Sequence, residues 1–163
     1  MSLLIQCVIA CILFTCLVLP SGYKDPVKQI MSYPPAIRKR VESLPEYQDT
    51  IQSIEKRHIS VKIIAAFVFV IIFAVIAYYS QARTFSSAFR HTFLLFLGVN
   101  LFDTVVLDIG LFCHSKKMVI SGTEDMVKEY RSPWHHVKGF FIGTVISIVV
   151  SLLSGSLIHF FVA

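Results

Sequence analysis

Charged side chains are scarce in this chain of 163 residues, of which they make up only 15%. Four long stretches contain no Lys or Arg, and three of the four contain no Asp or Glu either. Because about 20 consecutive apolar helical residues cross a bilayer, this pattern excludes an ordinary water-soluble domain. It predicts an all-α integral membrane bundle that forms a single membrane domain over residues 1–163. The predicted spans are about 2–20, 62–82, 88–114 and 138–162.

Cysteine is also sparse, and the sequence lacks several motifs that define known membrane chemistries. No C-x-x-C pair occurs, which argues against a quinone-coupled thiol enzyme. The Asp-rich spacing of lipid phosphotransferases, the matched Ser and His of intramembrane serine proteases and the first-span acid of small drug exporters are missing too. The cysteines fall in or next to predicted spans, as is typical of thiols that pack in lipid: Cys7, Cys11, Cys16 and Cys113.

Basic residues are distributed unevenly among the predicted loops. The first loop, about 23–60, and the third, about 115–137, carry eight and five Lys or Arg including their flanks, and the second carries two. Since cytoplasmic loops are rich in Lys and Arg, this predicts a multi-pass protein of the cell membrane with both termini extracytoplasmic. The net charge of +5 then has a topological origin, and no nucleic-acid-binding motif accompanies it.

The first apolar stretch has the length of a secretory signal, but two features favour a retained helix. No basic residue precedes the apolar run, and Pro20 stands where cleavage after Gly22 would require a small residue. Cleavage would also place the basic first loop outside the cell, against the positive-inside rule.

The first loop contains a short amphipathic pattern after a pair of prolines. Ile37 and Val41 recur at helical spacing. Three basic residues lie beside them: Arg38, Lys39 and Arg40. A second short segment holds Ile51 and Ile54. Basic amphipathic helices commonly lie on an anionic leaflet, so the sequence predicts amphipathic surface helices of the first cytoplasmic loop in contact with the bilayer, in preference to a protein-docking segment.

The third predicted span carries two carboxylates, Asp103 and Asp108, in an otherwise apolar run. A charged Asp at a helix centre costs about 2.5–3.5 kcal/mol on insertion scales, so both should face away from lipid. At α-helical spacing four polar residues fall within an arc of roughly 140° and define a polar intramembrane site: Asn100, Asp103, Thr104 and Asp108. No Lys or Arg lies near the middle of another span to pair with them.

Polar residues of the third loop follow directly from this helix. Five of them belong to types that bind ligands or metals or transfer protons: His114, Glu124, Asp125, His135 and His136. Each also has an ordinary structural explanation, since acids stabilise helix N-termini and Trp134 with its neighbours resembles an interfacial anchor. In the fourth span a row of small residues predicts close helix packing, within the chain in preference to a dimer: Ser147, Ser151 and Gly155.

Three functions are consistent with these patterns, and the sequence does not decide whether the protein is an enzyme. The preferred hypothesis is a non-catalytic binding or accessory membrane subunit, with a protein partner or a second copy of the chain, and a polar site between the third span and the cytoplasmic loop. The second is a proton- or cation-coupled carrier that uses Asp103 and Asp108. The third is a membrane enzyme that acts on a lipid-linked substrate at the cytoplasmic face. Its divalent metal would be held by residues from one set: Asp108, His114, Glu124 and His135.

Overall fold

The computed structural model describes residues 2–162, with the backbone alone for His58, and the regular structure within this range is entirely helical. Its α-helices are α1 (Leu3–Lys24), α2 (Pro35–Glu42), α3 (Gln48–Tyr79), α4 (Phe85–Phe102), α5 (Val127–Tyr130) and α6 (Trp134–Val162). A π-helix, Asp103–Leu111, continues α4 without a break. Short 3-10 helices occupy Pro26–Ser32, Pro45–Tyr47, Phe112–His114 and Lys116–Met118.

Four helical segments are long and apolar enough to span a membrane: Leu3–Lys24, Ile59–Tyr79, Phe85–His114 and Val127–Val162. The predicted all-α class with four candidate spans is therefore confirmed. The second span is the distal part of α3, which already begins at Gln48 in the first loop, and α6 begins at Trp134, before the predicted boundary at about 138. Large apolar side chains cover the outer faces, such as Leu17 (75% exposed) and Phe67 (66% exposed), a surface that suits lipid.

The short connection between α3 and α4 is set by local hydrogen bonds. Gln81 takes a left-handed conformation with φ of 64°, which ends α3, and the Arg83 guanidinium lies 3.6 Å from the centre of the Tyr78 ring. Thr84 then caps α4, since its hydroxyl accepts from the Ser87 N–H at 3.2 Å. The reciprocal bond from the Thr84 N–H to the Ser87 hydroxyl completes a capping box.

The transmembrane core is formed where α4 meets α3 and α6. A buried cluster from these three helices joins Val70, Phe73, Leu95 and Val150. The face of α6 toward α3 and α4 is made of small buried residues: Ser147, Ser151, Ser154 and Gly155. The Ser154 hydroxyl donates to the Val70 carbonyl at 3.1 Å, and a Cβ added at Gly155 would lie 3.1 Å from the Phe85 carbonyl oxygen. In this structure the row of small residues thus makes contacts within the chain.

A second apolar core, the loop core, joins the first and third loops. Its buried members are Val27, Ile30, Tyr33, Ile37, Val41, Ile51, Met118, Ile120 and Tyr130. Ile37 and Val41, the apolar residues of α2, are fully buried there. This corrects the prediction that their face rests on the bilayer, because the same helical periodicity serves a protein core equally well. Contact of the basic residues with anionic lipid remains a prediction, although Arg38 already pairs with Glu42 at 2.6 Å.

Candidate functional site

The π-helix positions the two intramembrane carboxylates. Asp103 and Asp108 are five residues apart, and π-helical hydrogen bonds join residues at this spacing, so the carboxylates lie about one turn apart on the same side. In an α-helix they would point roughly 140° apart. Both line one cleft between the spans. π-helical segments inside α-helices are frequent at functional sites, and this one has nine residues and carries both carboxylates.

The four residues of the predicted polar intramembrane site face two different parts of the molecule. Asn100 faces α6, where its side-chain amide donates to the Phe140 carbonyl at 3.0 Å and to the Thr144 hydroxyl at 3.3 Å. Thr104 is buried and donates back to the Asn100 carbonyl at 2.9 Å. Asn100 thus joins α4 to α6, whereas Asp103 and Asp108 face the cleft.

Asp108 pairs with His136 of α6. The Asp108 Oδ2 and His136 Nδ1 atoms are 2.9 Å apart, and the two side chains are 24% and 10% exposed. The contact joins residues 28 positions apart and fixes the end of the π-helix against the start of α6. His136 is therefore the partner of Asp108, for which the sequence offers no Lys or Arg near the middle of another span.

The Asp108–His136 pair lines a small cavity of about 30 Å³, room for about one or two water molecules. The Cys113 side chain, 5% exposed, lines the same cavity. Asp108, Cys113 and His136 therefore border one small space. Cys113 carries no C-x-x-C signal, and the histidine that borders this space with it is distant in the chain.

The loop core closes this cavity on the side away from the spans. Tyr33 and Tyr130, which both line the cavity, meet edge to face with ring centres 5.9 Å apart. Burial, with the neighbouring Tyr130, raises the pKa of the Tyr33 hydroxyl above its usual range, so it stays protonated and donates to the Met118 carbonyl at 2.8 Å. Tyr130 accepts from the Ile120 N–H at 3.0 Å. Backbone bonds to two tyrosines thus hold the third loop over the cavity.

A larger cleft of about 980 Å³ opens beside the cavity, bordered by α1, the 3-10 helix Pro26–Ser32, α3 and the π-helix. Its cationic residues are Lys28, Arg57 and Lys62. Its apolar residues include Phe14, Val18, Ile54, Val61 and Phe112. The carboxylates of Asp103 and Asp108 lie within the spans, and that of Asp49 lies in the first turn of α3. The cleft therefore combines apolar walls, basic groups near the start of the second span and two acids of the third span.

The remaining predicted site residues lie elsewhere on the loop face. His114 Nδ1 contacts the Ile109 carbonyl at 3.0 Å, and His135 Nε2 contacts the Ser32 carbonyl at 3.2 Å. Glu124 accepts from the Gly122 N–H at 3.0 Å and shares a separate cavity of about 160 Å³ with His114. Asp125 is exposed.

These placements bear on the predicted metal set of Asp108, His114, Glu124 and His135. Within residues 2–162, as far as the structure describes them, no group of three or more His, Cys, Asp or Glu side chains is arranged to hold a metal ion. Asp108 is paired with His136 instead, and His114 and Glu124 face a different cavity. The metal-dependent hypothesis gains no support from this arrangement.

The fold and the site together define a multi-pass helical protein with four candidate membrane-spanning helices and a polar site where the third and fourth spans meet the loops. No protein-family model, curated protein or solved structure matches the chain. Its function must therefore be argued from the residues themselves.

Proposed function

We propose that this chain is an integral protein of the cell membrane that binds an anionic amphiphile, a lipid with a phosphate headgroup, in the cleft of about 980 Å³. The observation that carries the proposal is the composition of the cleft. Arg57 and Lys62 flank Ile59, the first residue of the second span, and so lie at the depth of lipid headgroups. The apolar side chains of Phe14 and Val18 in α1 continue the cleft along the acyl-chain region.

The acids of the cleft add a second recognition element. Asp103 and Asp108 line the same cleft as Arg57 and Lys62, so they favour a headgroup that carries a hydroxyl or amine beside its phosphate. The orientation that we propose, with the first and third loops in the cytoplasm, rests on their eight and five basic residues. It places the cleft at the inner leaflet, where anionic lipids concentrate.

Removing both interfacial charges should weaken binding of an anionic lipid. Each basic group near an anionic surface contributes about 1 kcal/mol, so we expect the double variant Arg57→Gln/Lys62→Gln to bind phosphatidylglycerol about 30-fold more weakly. Binding would be measured with the purified protein in detergent micelles doped with phosphatidylglycerol or, for comparison, phosphatidylcholine.

The matched control removes two charges from the third loop, outside the cleft, in Lys116→Gln/Lys128→Gln. This control should retain at least half of the wild-type affinity. Equal losses in the two double variants would mean that net charge, and not the cleft, determines lipid binding, and would contradict the proposal.

A proton- or cation-coupled carrier is the second candidate, and one observation favours it: both Asp103 and Asp108 border a cleft wide enough for water. Its test is proton flux into proteoliposomes under an imposed pH gradient, followed with an entrapped pH-sensitive dye. Flux that is unchanged in Asp103→Asn and Asp108→Asn would end this hypothesis, whereas lipid binding in the cleft would be untouched by that result.

A further inference from the structure

Cys113, His136 and Asp108 border one cavity and are the residue types of a nucleophile, a base and an orienting acid. Asp108 contacts Nδ1 of the imidazole, which leaves Nε2 as the nitrogen that can exchange a proton with a nucleophile or leaving group. The Cys113 thiol lines the same cavity as this imidazole. A carboxylate that orients a histidine beside a thiol is the constellation found in cysteine-dependent acyl transfer on unrelated folds.

We propose that Cys113 is the nucleophile of an acyl-transfer site in which His136 is the general base and acid and Asp108 is the positioning residue. The substrate is an acyl chain held as an ester or a thioester. The assignment of a long acyl chain rests on the proposed lipid cleft, whereas the assignment of the nucleophile rests on the three side chains alone.

The cleft and the cavity are adjacent, and only shared side chains separate an acyl chain in the cleft from the space that the thiol borders. Four residues line both spaces: Gln29, Ser32, Asp108 and Phe112. A carbonyl group placed beside Asp108 therefore stands next to the cavity that contains Cys113. The loop core covers the cavity from the other side and limits the access of bulk water to the reacting atoms.

The reaction that we propose is redox-neutral and balanced within the site. His136 accepts the thiol proton of Cys113 as the sulfur attacks the acyl carbonyl carbon. The bond from that carbon to the leaving oxygen or sulfur then breaks, and His136 returns the proton to the departing alcohol or thiol. The acyl chain remains as a thioester on Cys113. Water or an acceptor hydroxyl attacks this thioester in the second step, and the proton that it releases restores the Cys113 thiol.

The test compares cysteines within one molecule, so it needs no variant to fold. Purified wild-type protein is incubated with an alkyne-tagged palmitoyl thioester of N-acetylcysteamine, and hydroxylamine-labile acylation is quantified at each cysteine by peptide mass spectrometry. Cys16, exposed on α1, is the internal control. We expect Cys113 to be acylated at least 10-fold faster than Cys16, although Cys113 is buried. Equal or faster labelling of Cys16 would overturn the proposal, because simple accessibility would then explain the reaction.

A pair of histidine variants tests the role of the general base. His136→Gln should slow acylation of Cys113 by at least 100-fold, as expected for the loss of a general base, whereas His159→Gln at the exposed far end of α6 should leave the rate unchanged. Undiminished acylation in a folded His136→Gln variant would refute the triad. Acetyl and palmitoyl thioesters that acylate Cys113 at equal rates would support the nucleophile and contradict the lipid cleft, so the two proposals can fail separately.

Discussion

Replacing Gly143 with alanine is expected to lower the free energy of unfolding by about 2–3 kcal/mol. Gly143 lies in α6 directly under the side chain of Asn100, and an added Cβ would overlap its Oδ1 and lie 2.9 Å from its Cγ. Asn100 could relieve this overlap only by moving away from the Phe140 carbonyl and the Thr144 hydroxyl to which it donates. A half-buried amide would then lose its partners, which adds to the cost of overpacking.

Gly139, one turn earlier on the same helix, supplies the matched control. A Cβ added there meets no atom within 4 Å, so Gly139→Ala should leave stability unchanged or raise it by up to about 1 kcal/mol through its better helix propensity. Both variants would be unfolded by SDS in mixed detergent micelles and followed by tryptophan fluorescence from Trp134. Equal stabilities for the two alanine variants would mean that Asn100 does not join α4 to α6 as the structure shows.

Four candidate spans could be predicted from the sequence because charged residues are costly in lipid and are therefore rare in the segments that cross it. Long runs without Lys or Arg mark them directly. The π-helix could not be predicted in this way. Whether the backbone forms α-helical or π-helical hydrogen bonds depends here on contacts with α6 and the loops. Helical periodicity likewise identified the apolar face of Ile37 and Val41 but could not tell whether lipid or protein covers it.

The site was predictable residue by residue but not as a set of contacts. The energetic penalty of a buried carboxylate singled out Asp103 and Asp108, and the position of His136 beside a span made it a candidate. Its pairing with Asp108 depends on how α6 meets the π-helix, which no local pattern encodes. Cys113 was interpreted as a packing thiol because a single cysteine carries no spacing signal. Met118 and Ile120 are apolar residues in an otherwise polar third loop, and this feature of the sequence could have indicated the loop core.

Breaking the Asp108–His136 hydrogen bond should lower the stability of the chain. Removing one partner of a largely buried hydrogen bond typically costs about 1–3 kcal/mol, because the remaining polar group is left without compensation. We expect both Asp108→Leu and His136→Leu to be destabilised by this amount in the same SDS unfolding measurement. Asp103→Leu is the matched control: it borders the same cleft, and no ion pair to it is formed by the residues that the structure describes. Its stability should stay within about 1 kcal/mol of the wild type.

The double variant Asp108→Leu/His136→Leu tests whether the two side chains stabilise the fold through their contact with each other. Since two apolar side chains can replace both partners of a buried hydrogen bond almost without loss, the double variant should be about 1–3 kcal/mol more stable than either single variant. Losses that simply add would show that the two side chains are not coupled. If the expected recovery is observed, the double variant is a folded chain in which Cys113 has lost both its histidine and the carboxylate that orients it. Acylation of Cys113 that persists in that chain cannot depend on the triad, so stability and chemistry are tested by independent measurements on one protein.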